Sequence, residues 1–239
     1  MIPGSKGLKS DASLLARGFL NLGPAKNISN LLTLRVQGDT DRRKHMLYDK
    51  DIREPLFDFL EERYGKTRII EEKQVGRSRA DVILVRPSDL TGIEIKSDAD
   101  TYARLERQIK DYDQYFDFNY VAAGSRHGIH IAEHVPPWWG IITIEQEETG
   151  VDFYMLREAA PNPNRRLRAK LSLLWRPELA HIQEINQMPK YREKSKVFVI
   201  DKILSKVPEP LLHEQISQEL FERDYTTIEE TIRQYKRSR

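Results

Sequence analysis

The reactive groups with meaningful spacing lie between Ser78 and Tyr112, in SRADVILVRPSDLTGIEIKSDADTYARLERQIKDY. Within a strand, side chains alternate between the two faces. Glu94 and Lys96 therefore project from one face of Gly92–Lys96, and Ile93 and Ile95 from the other. A carboxylate and an ammonium are costly to bury unpaired on a short apolar strand, so this alternation points to a site. Asp81 opens the apolar run Ala80–Val85, and the intervening RPSDLT, with Pro87, Ser88 and Asp89, reads as a turn. Such a hairpin brings Asp81 toward Glu94. Two converging carboxylates, with the Ile95 carbonyl as a further hard oxygen, suit Mg²⁺ or Mn²⁺. Lys96 beside them could orient a water, help deprotonate it, or stabilise charge developing on a phosphate. The plainer alternatives are a surface salt bridge for Glu94 and Lys96 and a strand-opening cap for Asp81.

The elements that must position these groups follow from periodicity. A helix is expected over Ile52–Tyr64, capped by Asp51 with Glu54 three residues later, Pro55 in the first turn and Gly65 at its end. That capping box is sufficient to explain both acids. Strands are expected at Thr67–Glu71, Ala80–Val85 and Gly92–Lys96. In Thr101–Asp117, Tyr102, Leu105, Ile109, Tyr112 and Phe116 recur at helical spacing. Then come a strand at Tyr120–Ala123, a short helix at His127–His134, and a hairpin of Gly140–Ile144 with Val151–Leu156. Further helices are expected at Arg166–Ile185, broken or restarted at Pro177, and at Val197–Val207, Leu211–Glu222 and Thr227–Tyr235. Residues 1–47 suggest only short helices and loops. The order of elements defines an α/β core followed by a helical C-terminal third.

Asp81, twelve intervening residues and Glu94-Ile95-Lys96 together resemble the signature of the PD-(D/E)XK nuclease superfamily, with Ala80 in the place of its proline. Gln108-Ile109-Lys110-Asp111-Tyr112 resembles the Q-x-x-x-Y element of its RecB-like branch, although Gln108 and Tyr112 also read as a plain helical pair. The runs RADVILV, GIEIKSDADTYARLERQIKDY, PPWWGIITI and LLWRPEL resemble a bacterial and phage-borne group of this superfamily, over roughly residues 48–190. The resemblance implies a restriction-endonuclease-like αβββαβ core with a mixed sheet. It divides the chain into an N-terminal extension (1–47), the nuclease core (48–160) and a helical C-terminal region (161–239). It implies hydrolysis of nucleic-acid phosphodiesters, DNA before RNA, in repair, restriction or defence. Asp81, Glu94 and the Ile95 carbonyl would hold Mg²⁺ or Mn²⁺, Lys96 would position water or phosphate, and Gln108 would orient a neighbour or the substrate. Arg79, Arg104 and Arg107 would hold flanking phosphates. A homodimer or a larger complex fits the same resemblance. The alternative is a non-cleaving nucleic-acid- or protein-binding module on the same fold.

Composition bounds these expectations. The chain has 239 residues, 39 Lys+Arg against 37 Asp+Glu, and no cysteine. That excludes a disulfide scaffold, a cysteine nucleophile and thiolate metal sites. No apolar run approaches the ~20 residues of a membrane helix, and Met1–Gly23 lacks a signal-peptide pattern, so a cytoplasmic location is expected. Asn162–Arg176 carries Arg165, Arg166, Arg168, Lys170 and Arg176 without an acid, and the chain ends Lys-Arg-Ser-Arg. The run is either a solvated helix face or a phosphate-tracking surface; Arg165, Arg166 and Arg168 are the candidates for the latter. His127, His130 and His134 read as a polar helix rather than a zinc site, and Trp138, Trp139 and Trp175 as core. The last helices could bind DNA, close as a lid or contact a partner.

Overall fold

The alternation along Ala80–Val85 and Gly92–Lys96 creates a sheet with two apolar faces, each of which needs a covering layer. A computed structural model describes residues 47–224, with 129 and 149 excepted. The expected helix at Thr227–Tyr235, the basic tail and nearly all of the N-terminal extension lie outside the described residues.

The core begins with α1 (Asp49–Tyr64), β1 (Arg68–Val75), β2 (Ser78–Val85) and β3 (Leu90–Lys96). A 3₁₀ turn (Tyr102–Arg104) leads into α2 (Leu105–Tyr115) and β4 (Phe118–Gly124). Two short helices, α3 (Ser125–Gly128) and α4 (Ile131–His134), precede the hairpin of β5 (Gly140–Glu147) and β6 (Gly150–Arg157). The C-terminal layer is α5 (Leu167–Ser172), α6 (Arg176–Ile185), α7 (Lys196–Lys206) and α8 (Glu209–Phe221). The strands form one mixed sheet in chain order: β3, β4 and β5 run parallel, and the remaining neighbours are antiparallel. This is the expected α/β class.

On one face, Ile52, Leu56 and Leu60 of α1 pack with Val82, Leu84, Ile93 and Ile95. In the cluster on the other face, Leu105, Tyr112 and Phe116 of α2 join Ile83, Val85 and Val121. Leu171, Leu179, Ile203, Leu212 and Ile216 of the C-terminal helices belong to the same cluster. The helices after β6 are therefore part of the sheet's own core.

Three local expectations are corrected. First, α1 starts at Asp49, and Asp51 is its third residue: its Oδ2 accepts the Tyr48 N–H at 3.1 Å. This bond satisfies a free N-terminal donor one turn earlier than expected, and leaves Pro55 inside the helix. Second, β1 runs on through the polar Glu71–Gln74 to Val75. It is an edge strand, and a two-residue turn at Gly76 and Arg77 joins it to β2, with Gly76 at φ 57°. Third, Lys170, one of the basic run, is fully buried. Its Nζ lies 2.6 Å from Asp117 Oδ2 and 3.1 Å from His213 Nδ1, and Asp117 Oδ2 also accepts the Leu90 N–H at 2.9 Å. A hydrogen-bonded ion pair compensates the desolvated charge and ties α5 and α8 to the start of β3.

α2 approaches the sheet at Gly92. A Cβ there would lie 2.2 Å from the Phe116 ring and 2.8 Å from Tyr112. Gly92→Ala is expected to destabilise the fold by about 1–3 kcal/mol in urea denaturation. Gly150→Ala, where a Cβ meets nothing within 4 Å, is the control, with a change within about 0.5 kcal/mol. Equal effects would remove the close approach at Gly92 as a constraint. A second expectation concerns His213, which burial and the Lys170 charge hold below the ordinary histidine value, against the opposing pull of Asp117 and Glu209, with Arg165 adding to the depression. Because its folded pKa is depressed, its stability contribution is complete above the unfolded value of about 6.5 and is lost progressively as pH falls from there through the lower folded pKa. His213→Gln should therefore show a smaller fall in Tm between about pH 7.5 and 5.5 than wild type; an unchanged fall would exclude His213 as the source.

Candidate active site

The β2–β3 ladder ends where Val82 faces Ile93. Beyond that pair, the polar groups of Asp81 are engaged by three different elements. Its N–H donates to Tyr112 Oη at 3.1 Å, its carbonyl accepts from Arg53 Nη1 at 3.3 Å, and its Oδ2 accepts the Ile95 N–H at 2.9 Å. The carboxylate thus takes a ladder donor of β3 that the main chain of β2 has released. A side chain caught this way has little freedom to rotate.

Glu94 sits one step further along the same face and is 1% exposed. Its Oε2 accepts from Tyr112 Oη at 2.7 Å. Its Oε1 accepts from Lys96 Nζ at 2.6 Å and from the Gln108 amide. Lys96, equally buried, also donates to Gln108 Oε1 at 3.1 Å. The four-residue spacing of Gln108 and Tyr112 places both on the helix face above β3, where each binds Glu94. Burial, then the charges of Glu94 and Asp81, keep the Tyr112 phenol well above its usual pKa, so it remains a donor. Burial and the neighbouring Glu94 charge push the Asp81 carboxyl up to about 8. Two carboxylates that resist sharing negative charge form an oxygen-donor set that a hard divalent ion would relieve. Among the described residues, no group of three or more His, Asp or Glu forms a metal-holding cluster. Asp81 and Glu94 are the two acids of this cluster that could hold such an ion.

Asp81, Glu94, Lys96 and Gln108 line a cleft of about 420 Å³. Arg77, Arg79, Arg104 and Arg107 also line it, as do Ile95 and, from α1, Asp49 and Arg53. Of the residues expected to hold phosphates, Arg79, Arg104 and Arg107 are here. Arg165, Arg166 and Arg168 are outside the cleft lining, at the start of α5, where Arg165 Nε lies 3.6 Å from Asp117 Oδ1 and Arg168 pairs with Asp201. Asp49, Arg53 and Arg77 were not anticipated. Asp49 and Arg53 at i and i+4 look like an ordinary exposed helix pair, and nothing local to Arg77 marks it.

His127 and His134 pack against Tyr102 with ring centroids 4.9 and 4.1 Å away, while His130 lies 3.5 Å from Glu133. Trp139 is buried and, like Trp138, donates to Asp113 Oδ1; Trp175 stacks under Arg223. No helix among the described residues is long and apolar enough to cross a membrane.

Fold and cleft together define an α/β protein with a mixed six-stranded sheet and an acid–lysine cluster where two of its strands part. The family model for Bacteriophage P4 protein cII matches residues 42–238, and the chain belongs to that family. No curated protein and no solved structure matches it.

Tyr112→Phe leaves a Glu94 oxygen and the Asp81 N–H without their shared partner while preserving the ring packing. The expected loss is about 1–3 kcal/mol in urea denaturation, with an unchanged far-UV spectrum. A loss below about 0.5 kcal/mol would remove the hydroxyl from this organising role.

Proposed function

We propose that the chain is a Mg²⁺- or Mn²⁺-dependent nuclease of the PD-(D/E)XK type that hydrolyses phosphodiester bonds of DNA. The observation that carries this reading is the convergence of Asp81, Glu94, Lys96 and Gln108 in a cleft also lined by arginines. The order helix, three strands, helix, strand, with β4 parallel to β3, supports a restriction-endonuclease-like core.

Asp81 and Glu94 would hold the ion. When bound, it would polarise the phosphate and lower the pKa of an attacking water. Lys96, held by Glu94 and Gln108, would stabilise the negative charge that builds on the phosphoryl oxygens as water adds and the ester oxygen leaves. Arg79, Arg104 and Arg107 would bind flanking phosphates, contacts that position a strand without reading its bases.

The test is incubation of linear, nicked circular, supercoiled and single-stranded DNA with Mg²⁺ or Mn²⁺, using wild type, Asp81→Ala and Lys96→Ala. Wild type is expected to cleave, and each variant to be slower by at least about 10²-fold. In parallel, Mn²⁺ at about 100 times its Kd should stabilise wild type by about 2.7 kcal/mol and leave Glu94→Ala unchanged. Cleavage that persists in both variants would sink the assignment. So would DNA binding by wild type with no cleavage of any substrate, an outcome that favours the binding module.

A further inference from the structure

We propose that Arg53 is a built-in cation that limits this site to one divalent ion per chain. The inference rests on the metal-dependent reading and specifies its ion count. Arg53 reaches from α1 into the acidic wall beside Asp81. Its Nε lies 2.6 Å from Asp49 Oδ2, its Nη1 lies 3.3 Å from both Glu71 Oε2 and the Asp81 carbonyl, and its Nη2 bonds Glu72. The side chain is only 16% exposed, unlike an ordinary surface pair. Its guanidinium keeps its charge at any accessible pH, and its planar fork serves several oxygens at once.

Asp49, Glu72, Asp81 and Glu94 all line the same cleft. Left to themselves, Asp49 and Glu72 are the acids that could join Asp81 around a second hard cation. Arg53 stands between them and occupies both. Arg79 also pairs with Glu72. Glu72 has a φ of 53°, in the left-handed region unusual for a non-glycine, and lies between the paired residues Glu71 and Lys73. Its ion pairs to Arg53 and Arg79 accompany this turned backbone. The positive charge that a second ion would bring is thus part of the polypeptide. The same side chain anchors Asp81 through its carbonyl, which makes Arg53 a positioning residue as well.

The experiment measures Mn²⁺ stoichiometry by calorimetry and by electron paramagnetic resonance on the full chain. Wild type and Arg53→Lys are expected to bind one ion. Arg53→Met should bind a second, which disappears again in the Arg53→Met, Glu72→Gln double variant. Two ions in wild type, or one in folded Arg53→Met, would overturn the proposal. Should Arg53→Met not fold, Glu72→Gln in the otherwise wild-type chain decides. Its Mn²⁺ affinity should stay within about threefold of wild type, and a loss of about tenfold or more would make Glu72 part of the ion's coordination and overturn the proposal. A wild type that binds no Mn²⁺ defeats the metal-dependent reading itself, which separates that failure from an error in the ion count.

Discussion

Glu94 carries a carboxylate on a strand with almost no access to water. An unpaired carboxylate in that position would be driven out or neutralised. The arrangement around it answers this constraint: a phenol, an ammonium and an amide converge on its two oxygens. Each donor needs its own anchor. Tyr112 and Gln108 come from α2, so that helix must run across β3. It can come close enough because Gly92 has no side chain to obstruct the rings of Phe116 and Tyr112. The hydrogen bonding of one buried carboxylate thus goes with the placement of a helix and the choice of a glycine.

α2 also secures the neighbouring wall. Asp111 accepts from the Arg77 N–H and the Ser78 hydroxyl, and Tyr115 accepts from the Gly76 N–H. The same helix face therefore carries the ligands of Glu94 and those of the β1–β2 turn. Behind it, a buried ion pair of Lys170 with Asp117 joins the C-terminal helices to this assembly, and a second, of Arg223 with Glu178, ties those C-terminal elements to one another. Such pairs add little net stability against an apolar alternative, but they penalise misplacement strongly, because separation strands a buried charge.

The parts legible in the sequence were those whose signal is local. The two-residue alternation of Glu94 and Lys96, the apolar run after Asp81 and the helical phase of Leu105, Tyr112 and Phe116 each follow from the geometry of one element. They placed Asp81, Glu94, Lys96 and Gln108 correctly on strands and helix. The start of α1 is ambiguous in the sequence because Asp51 with Glu54 three residues on has the pattern of a cap, whereas in the fold Asp51 is itself the third helical residue and accepts the Tyr48 N–H. β1 was cut short because its polar half is an edge. Lys170 looked solvent-facing because its partners, Asp117 and His213, are 53 and 43 residues away in the chain. Arg53 was hidden in the same manner: its partners in β1 and β2 lie 18, 19 and 28 residues on. Long-range ion pairs leave no periodicity.

The sheet keeps its strands in the order in which they occur along the chain. Each strand adds to an edge made by its predecessor, and none must be threaded between two already in place. Every side chain lining the cleft comes from residues 49–108. During synthesis, the groups of the cleft and the helix that gathers them leave the ribosome before β4 through β6 and the C-terminal helices. The buried partners Lys170, Glu178 and Arg223 follow later. Assembly from the N-terminal side, locked by the last helices, is the folding route this topology makes simplest.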